Sequence, residues 1–201
     1  GLAGIMYAVR EGRSGFQRLL TYTLNMLTKK IEIILFLSIG LVLTGHAVLT
    51  PVLVVLMLVT NDFLAMSLTT DRASPAPNPS QWRMRNITTA AAILGACKLG
   101  FSTAVLAFGK YRLGLALGQL QTLAFVTIIF GAQALMYVLR ERRRLWSSRP
   151  GAWVFVSSAV DIGIISALAL SGTLMEPLPW RVLVGVFAAT AGFALILDQI
   201  K

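Results

Sequence analysis

The sequence predicts an all-α fold, a polytopic membrane helix bundle of six transmembrane helices with no β domain. Three observations predict it. First, 56% of the 201 residues are hydrophobic and 13% are charged, with a mean hydropathy of +0.75; an ordinary soluble domain is about 25% charged. Second, the charge is gathered into short clusters between apolar runs long enough to cross a bilayer. Third, no run alternates apolar and polar residues as a barrel strand does. The same composition excludes other classes. The chain is too apolar for disorder and too poor in charge for a typical soluble enzyme. Its single cysteine, Cys97, supports no disulfide scaffold. The net charge of +10 flanks apolar runs instead of forming a basic face, so the expected partner is the lipid bilayer and not nucleic acid.

Each span follows from the need for roughly 20 mostly apolar residues to cross the hydrocarbon core. The first covers about 22–46: its apolar part is Ile31 to Gly45, and helical spacing carries it back to Tyr22. Phe16, Leu19, Leu20, Thr23, Leu27 and Lys30 recur at that spacing, and no Pro or Gly interrupts Phe16 to Ile39. Such a rod is about 36 Å long and is expected to rise from a cytoplasmic stalk into the membrane. The remaining spans are expected at about 48–68, 87–109, 113–139, 152–172 and 180–197. Between the second and third, Pro75, Pro77 and Pro79 alternate with other residues and enforce an extended linker. The chain opens without Met, on Gly1-Leu2-Ala3-Gly4, and reads as a piece of a longer protein.

Charge sets the orientation. Arg10, Arg13, Arg18, Lys29 and Lys30 precede the first span; Arg72, Arg83 and Arg85 follow the second. Arg140, Arg142, Arg143, Arg144 and Arg149 follow the fourth, and Lys201 follows the sixth. The opposite side has Lys110, Arg112 and Arg181. The positive-inside rule then places both termini in the cytoplasm. Trp82, Trp146, Trp153 and Trp180 fall near expected interfaces, where amphipathic rings sit. Small residues four apart (Gly114 and Gly118, Ala159 and Gly163, Ala167 and Ser171, Ala188 and Gly192) are expected to let helices approach closely.

Ionisable groups inside a membrane are costly and mark function or pairing. Four qualify: Glu32, Asp62, Lys98 and Asp161. Asp62, deep in the second span and expected to be shielded from bulk water, has Thr60 and Asn61 beside it. Such a set binds a hard cation through oxygen or exchanges a proton; the plainer reading is a cap or an interhelical hydrogen bond. Glu32 could face Asp62 across the first hairpin as a two-carboxylate site, or be neutralised by Lys29 one turn earlier. Lys98 and Asp161 are expected to form a structural interhelical pair, and Ser157 and Ser158 near Asp161 leave a pathway role open. His46 reads as a loop residue and Cys97 as a lipid- or core-facing small residue without redox chemistry. No Gly-rich phosphate loop, zinc-spaced His/Cys cluster or Gly-x-Ser-x-Gly elbow occurs, so no cofactor and no catalytic residue is expected in this chain.

The first hairpin carries a family resemblance. Arg10-Glu11-Gly12-Arg13-Ser14-Gly15-Phe16-Gln17-Arg18, then Tyr22-Thr23 and the long helix, resembles the segment where a P-type ATPase leaves its phosphorylation domain and enters its fifth transmembrane helix. Thr60-Asn61-Asp62-Phe63, Asp71-Arg72, Ser74-Pro75-Ala76-Pro77 and Trp82-Arg83 resemble the sixth helix and following loop of the plasma-membrane proton-pumping branch. The match is specific over 10–85 and rests on helix count beyond that. It implies a remnant of the phosphorylation domain at 1–15 and six membrane helices, the fifth to tenth, over 16–201. It also implies an ion site at Asp62 with Asn61 beside it, to which the reading of the residues adds Thr60 and Glu32, and Mg-ATP used by cytoplasmic domains outside this chain. Glu32 departs from the proton pumps, which carry a basic residue near there, and is closer to the calcium-pump branch. The Asp-Lys-Thr-Gly and Thr-Gly-Glu motifs are absent, so the chain alone is expected to hydrolyse nothing. The alternatives are a calcium or magnesium pump, a free-standing six-span channel or carrier, and an accessory subunit.

Overall fold

A computed structural model describes residues 2–69, 84–140 and 151–200. Among these, six helices and no strand occur: α1 (Leu2–Thr44), α2 (Pro51–Thr69), α3 (Met84–Tyr111), α4 (Leu117–Arg140), α5 (Ala152–Ser171) and α6 (Trp180–Ile200). This is an all-α membrane helix bundle. The proline-rich stretch, Trp82, Arg83, Trp146 and the arginine cluster from Arg142 to Arg149 lie outside the described residues.

Helices α3 to α6 are each long and apolar enough to cross a membrane. The apolar part of α2 runs Pro51–Leu64. Helix α1 is polar in its first half and apolar in its second. It also begins earlier than the spacing predicts, at Leu2 instead of Phe16. Gly12 and Gly15 cost roughly 1 kcal/mol each in a helix interior, but good helix formers such as Ala8, Arg10 and Glu11 surround them. The whole rod of 43 residues is about 64 Å long, twice the hydrocarbon thickness of about 30 Å.

The ends are set by local chemistry. Gly45 takes φ 78°, the left-handed turn that stops α1, and its N–H bonds Leu41 O at 2.8 Å. Lys110 Nζ, at the end of α3, donates to Leu43 O at 2.5 Å; a cation there complements the C-terminal end of α1. Thr50 precedes Pro51, and its Oγ1 accepts the Leu53 N–H at 3.4 Å, a threonine cap followed by proline at the first helical position.

Helix α4 is the hub. It is buried almost all round from Leu120 to Val138 and touches α1, α2, α3, α5 and α6. Phe130 on α4 meets Phe187 on α6 edge-on, with ring centroids 5.7 Å apart. Phe101 on α3 stacks on Phe193 of α6 at 4.4 Å. The outer faces of the other helices carry large exposed apolar side chains such as Val42, Phe155 and Val184, a surface suited to lipid. Trp153 and Trp180 are exposed on the first turns of α5 and α6.

The small-residue pairs correct part of the sequence reading. A Cβ added at Gly163 or Gly192 would meet nothing within 4 Å, so those positions do not mark close approach. The tight contacts lie elsewhere. A Cβ on Gly40 would fall 2.3 Å from Val48 Cγ2, one on Gly95 3.2 Å from Ile31 Cγ2, and one on Gly131 3.0 Å from Lys98 Cε. Gly118 meets a connection and not a helix, since its Cβ would fall 2.1 Å from Glu176 Cγ between α5 and α6, and one on Gly114 would meet nothing within 4 Å.

Candidate functional site

The face that α1 buries is polar for two turns. Asn25, Thr28, Lys29 and Glu32 are 1%, 0%, 4% and 0% exposed, and their spacing is that of one helix face. Phe36, also fully buried, continues the face into the apolar core. The largest interface of α1 is with α3, while its contact with α2 is slight. This decides where Glu32 points. Lys98 of α3 donates to Glu32 Oε2, and Ser102, one turn further on, donates to Glu32 Oε1 at 2.9 Å. Both carboxylate oxygens are thereby taken. The expected pairing of Lys98 with Asp161 is therefore wrong, as is the shared site of Glu32 with Asp62. The physical reason is the register of α1 on α3, which brings Lys98 opposite Glu32.

Asp161 on α5 is half-buried and accepts instead from Gln133 Nε2 on α4. Ser158, three residues before Asp161, donates to Gln133 Oε1 at 2.5 Å. Gln133 is 3% exposed and satisfied on both amide atoms, so it ties α4 to α5 through one amide.

Asp62 departs most from expectation: its side chain is exposed. The buried face of α2 is Leu53, Met57, Thr60 and Leu64. At about 100° per residue, Asp62 lies opposite that stripe, on the same outer surface as Phe63 and Met66, which are 68% and 69% exposed. It is nonetheless tied to the rod through its neighbour. Lys29 Nζ donates to Asn61 Oδ1 at 2.9 Å, so Lys29 does not simply neutralise Glu32. The charges of Lys98, Glu32, Asp161 and Asp62 all act on Lys29.

These groups share a depth. Measured along each helix from the end that carries the α1–α2 turn, Glu32 lies about 18 Å in from Thr44, Asp62 about 17 Å in from Pro51, Lys98 about 20 Å in from Tyr111 and Asp161 about 15 Å in from Ser171. Each of these depths is about half the thickness of a 30 Å hydrocarbon core or slightly more. Among the described residues, no three His, Cys, Asp or Glu side chains converge as a metal cage. Asn25 Oδ1 and Thr28 Oγ1 are buried and have no hydrogen-bond partner among the described residues. Sequence reasoning missed Asn25, Thr28, Ser102 and Gln133. The spacing 25, 28, 29, 32 was the available signal for the first two, and nothing local pointed to the others.

His46 is exposed in the α1–α2 turn, where its Nδ1 lies 3.3 Å from Thr44 O, and Cys97 packs against Leu94, Leu135, Val138 and Leu197. His46 is thus a loop residue and Cys97 a core-facing one.

No family model matches the chain. Over its whole length the chain is 27% identical to a protein of Methanocaldococcus jannaschii described as a candidate cation-transporting ATPase, and it covers 25% of that protein. It thus spans about a quarter of the length of this curated relative. The chain is similar to one stretch of that protein.

Proposed function

We propose that this chain is the ion-carrying membrane region of a P-type cation-transporting ATPase, corresponding to the fifth to tenth transmembrane helices, and that the complete protein exports protons. The observation that supports it best is α1. One unbroken helix of 43 residues joins a polar end, which extends beyond any bilayer, to a buried polar centre at mid-membrane. A rigid rod of this kind turns a push at its cytoplasmic end into displacement of Lys29 and Glu32 relative to Asn61, Lys98 and Ser102.

In this reading Asp62, Asn61, Thr60 and Glu32 handle the cargo. Asp62 is the open acceptor, and Glu32 is the carboxylate closed by Lys98 and Ser102. Lys29 stands between them, bonded to Asn61 while lying in the field of both carboxylates. A shift of α1 changes how far Lys29 serves each. The orphan oxygens of Asn25 and Thr28, on the stalk side of Glu32, supply polar footing for an ion or water on that approach. A carboxylate left on a lipid-facing surface near mid-membrane costs about 2.5–3.5 kcal/mol on insertion scales. The face that carries Asp62 is therefore proposed to be covered by helices of the parent chain outside these residues. Mg-ATP acts in cytoplasmic domains, the bilayer is the plasma membrane, and both ends of this chain lie in the cytoplasm.

The test is the encoding DNA. An uninterrupted reading frame extending upstream of Gly1 through an Asp-Lys-Thr-Gly segment is expected. A start codon immediately before Gly1 would overturn the reading in favour of a free-standing six-span carrier.

A further inference from the structure

Glu32 is 0% exposed, and the Lys98 ammonium bonded to it is 0% exposed as well. Lys29 is 4% exposed and bonded to Asn61, while Asp161 is half-buried and Asp62 exposed. A carboxylate buried in a low-dielectric interior needs a counter-charge at hydrogen-bonding distance.

Lys98 is seated for this role. Its ammonium bonds one oxygen of Glu32, and Ser102 holds the other at 2.9 Å. Its stem crosses Gly131 of α4, where an added Cβ would come within 3.0 Å of Lys98 Cε. The lack of a side chain at Gly131 is what lets the stem lie there. Any cation approaching Glu32 meets a fixed ammonium already at hydrogen-bonding distance. Repulsion scales with the charge of the newcomer, so a divalent ion is penalised twice as strongly as a monovalent one. A proton can be shared within the hydrogen-bonded group without needing a cavity.

We propose that Lys98 is the resident counter-charge of Glu32 and the residue that confines this site to cargo of a single positive charge, excluding divalent cations. The proposal rests on the reading of the polar centre as a cargo site, and it narrows the substrate class. Lys98 acts here as a specificity-determining residue.

The test uses the whole chain in lipid nanodiscs with Mn2+ as the probe, bound ion being read from the loss of the free-ion paramagnetic resonance signal. Wild type is compared with Lys98→Met, Lys98→Gln, Glu32→Gln and the Lys98→Met/Glu32→Gln double variant. Folding is checked by circular dichroism. Wild type is expected to hold no Mn2+ that the Glu32→Gln change removes. Lys98→Met and Lys98→Gln are expected to gain one site, tighter by more than about a hundredfold, because a like charge at hydrogen-bonding distance costs at least that at an effective dielectric of about 20. The double variant is expected to lose the gained site. A merely structural lysine would create no such site. Mn2+ binding in wild type that Glu32→Gln abolishes overturns the proposal, and so does a folded charge-removing variant that gains none. Should neither variant fold, the wild-type and Glu32→Gln pair alone decides. This readout needs no ATP, so it stands apart from the test of the pump reading, which an upstream start codon would sink while leaving the binding result intact.

Discussion

Removing the carboxylate of Glu32 alone should destabilise the bundle strongly, and removing its partner as well should restore most of the loss. Glu32 and Lys98 are both fully buried and bonded to each other. In Glu32→Gln the Lys98 ammonium keeps an amide oxygen but loses its counter-charge, with no water at 0% exposure to replace it. Breaking a buried pair from one side costs about 3–5 kcal/mol, and the retained amide acceptor places this variant near the lower figure. Lys98→Met leaves Glu32 with only the Ser102 hydroxyl and belongs near the upper one. In the double variant no charge remains, and Met fills the channel beside Gly131 with nearly the volume of the lysine stem. Replacement of such a pair by apolar residues is often neutral. The double variant should therefore lie within about 1 kcal/mol of wild type, a coupling of several kcal/mol where contacting residues show up to about 3. Thermal unfolding in nanodiscs, followed by near-ultraviolet circular dichroism, reads this directly. At about 2–4 °C per kcal/mol for a chain of this size, each single variant should melt about 10 °C lower. Single variants that each cost under about 1 kcal/mol and add in the double would refute the buried clamp between α1 and α3.

Three further outcomes follow. Gly131→Ala puts a Cβ 3.0 Å from Lys98 Cε and should cost about 1–3 kcal/mol as an overpacked core site; its unfolding cycle with Glu32→Gln should show that the Glu32–Lys98 coupling has shrunk. Asn61→Leu removes the acceptor of Lys29 at 2.9 Å and should cost about 1–3 kcal/mol in the same melt, most of it recovered by adding Lys29→Met. Gly163→Ala meets nothing within 4 Å and should change stability by less than about 0.5 kcal/mol, whereas Gly40→Ala, 2.3 Å from Val48 Cγ2, should lower the melting point unless Val48→Ala accompanies it.

The fold class was legible because long apolar runs leave a chain little choice: in lipid the backbone must satisfy its own hydrogen bonds, and only helices and closed barrels do so. The long rod was legible too, from the unbroken spacing after Phe16. The partnering of charges was not. Glu32, Lys98 and Asp161 were each identifiable as groups that need partners, but which helix faces which is set by the register of α1 on α3, and no spacing within one helix records it. Asp62 teaches a different lesson. Its chemistry stood out, and its facing could have been read from the Leu53, Met57, Thr60 and Leu64 stripe that excludes it. The glycines that matter, Gly95 and Gly131, do follow Ala91 and Thr127 by four places, but spacing alone does not tell them from Gly163 and Gly192, which have the same spacing and meet nothing within 4 Å.

The central claim is that the polar centre of α1 and α2 carries the cargo, and Asp62 offers the cleanest probe, since Asp62→Asn removes the charge at nearly constant shape and Asp62 lies off the buried stripe of α2. The measurement is ATP-driven cation uptake by proteoliposomes that hold the complete parent protein, with Asp62→Asn set against wild type and melting points recorded alongside. Uptake abolished at an unchanged melting point is the predicted result; uptake at the wild-type rate would contradict the account.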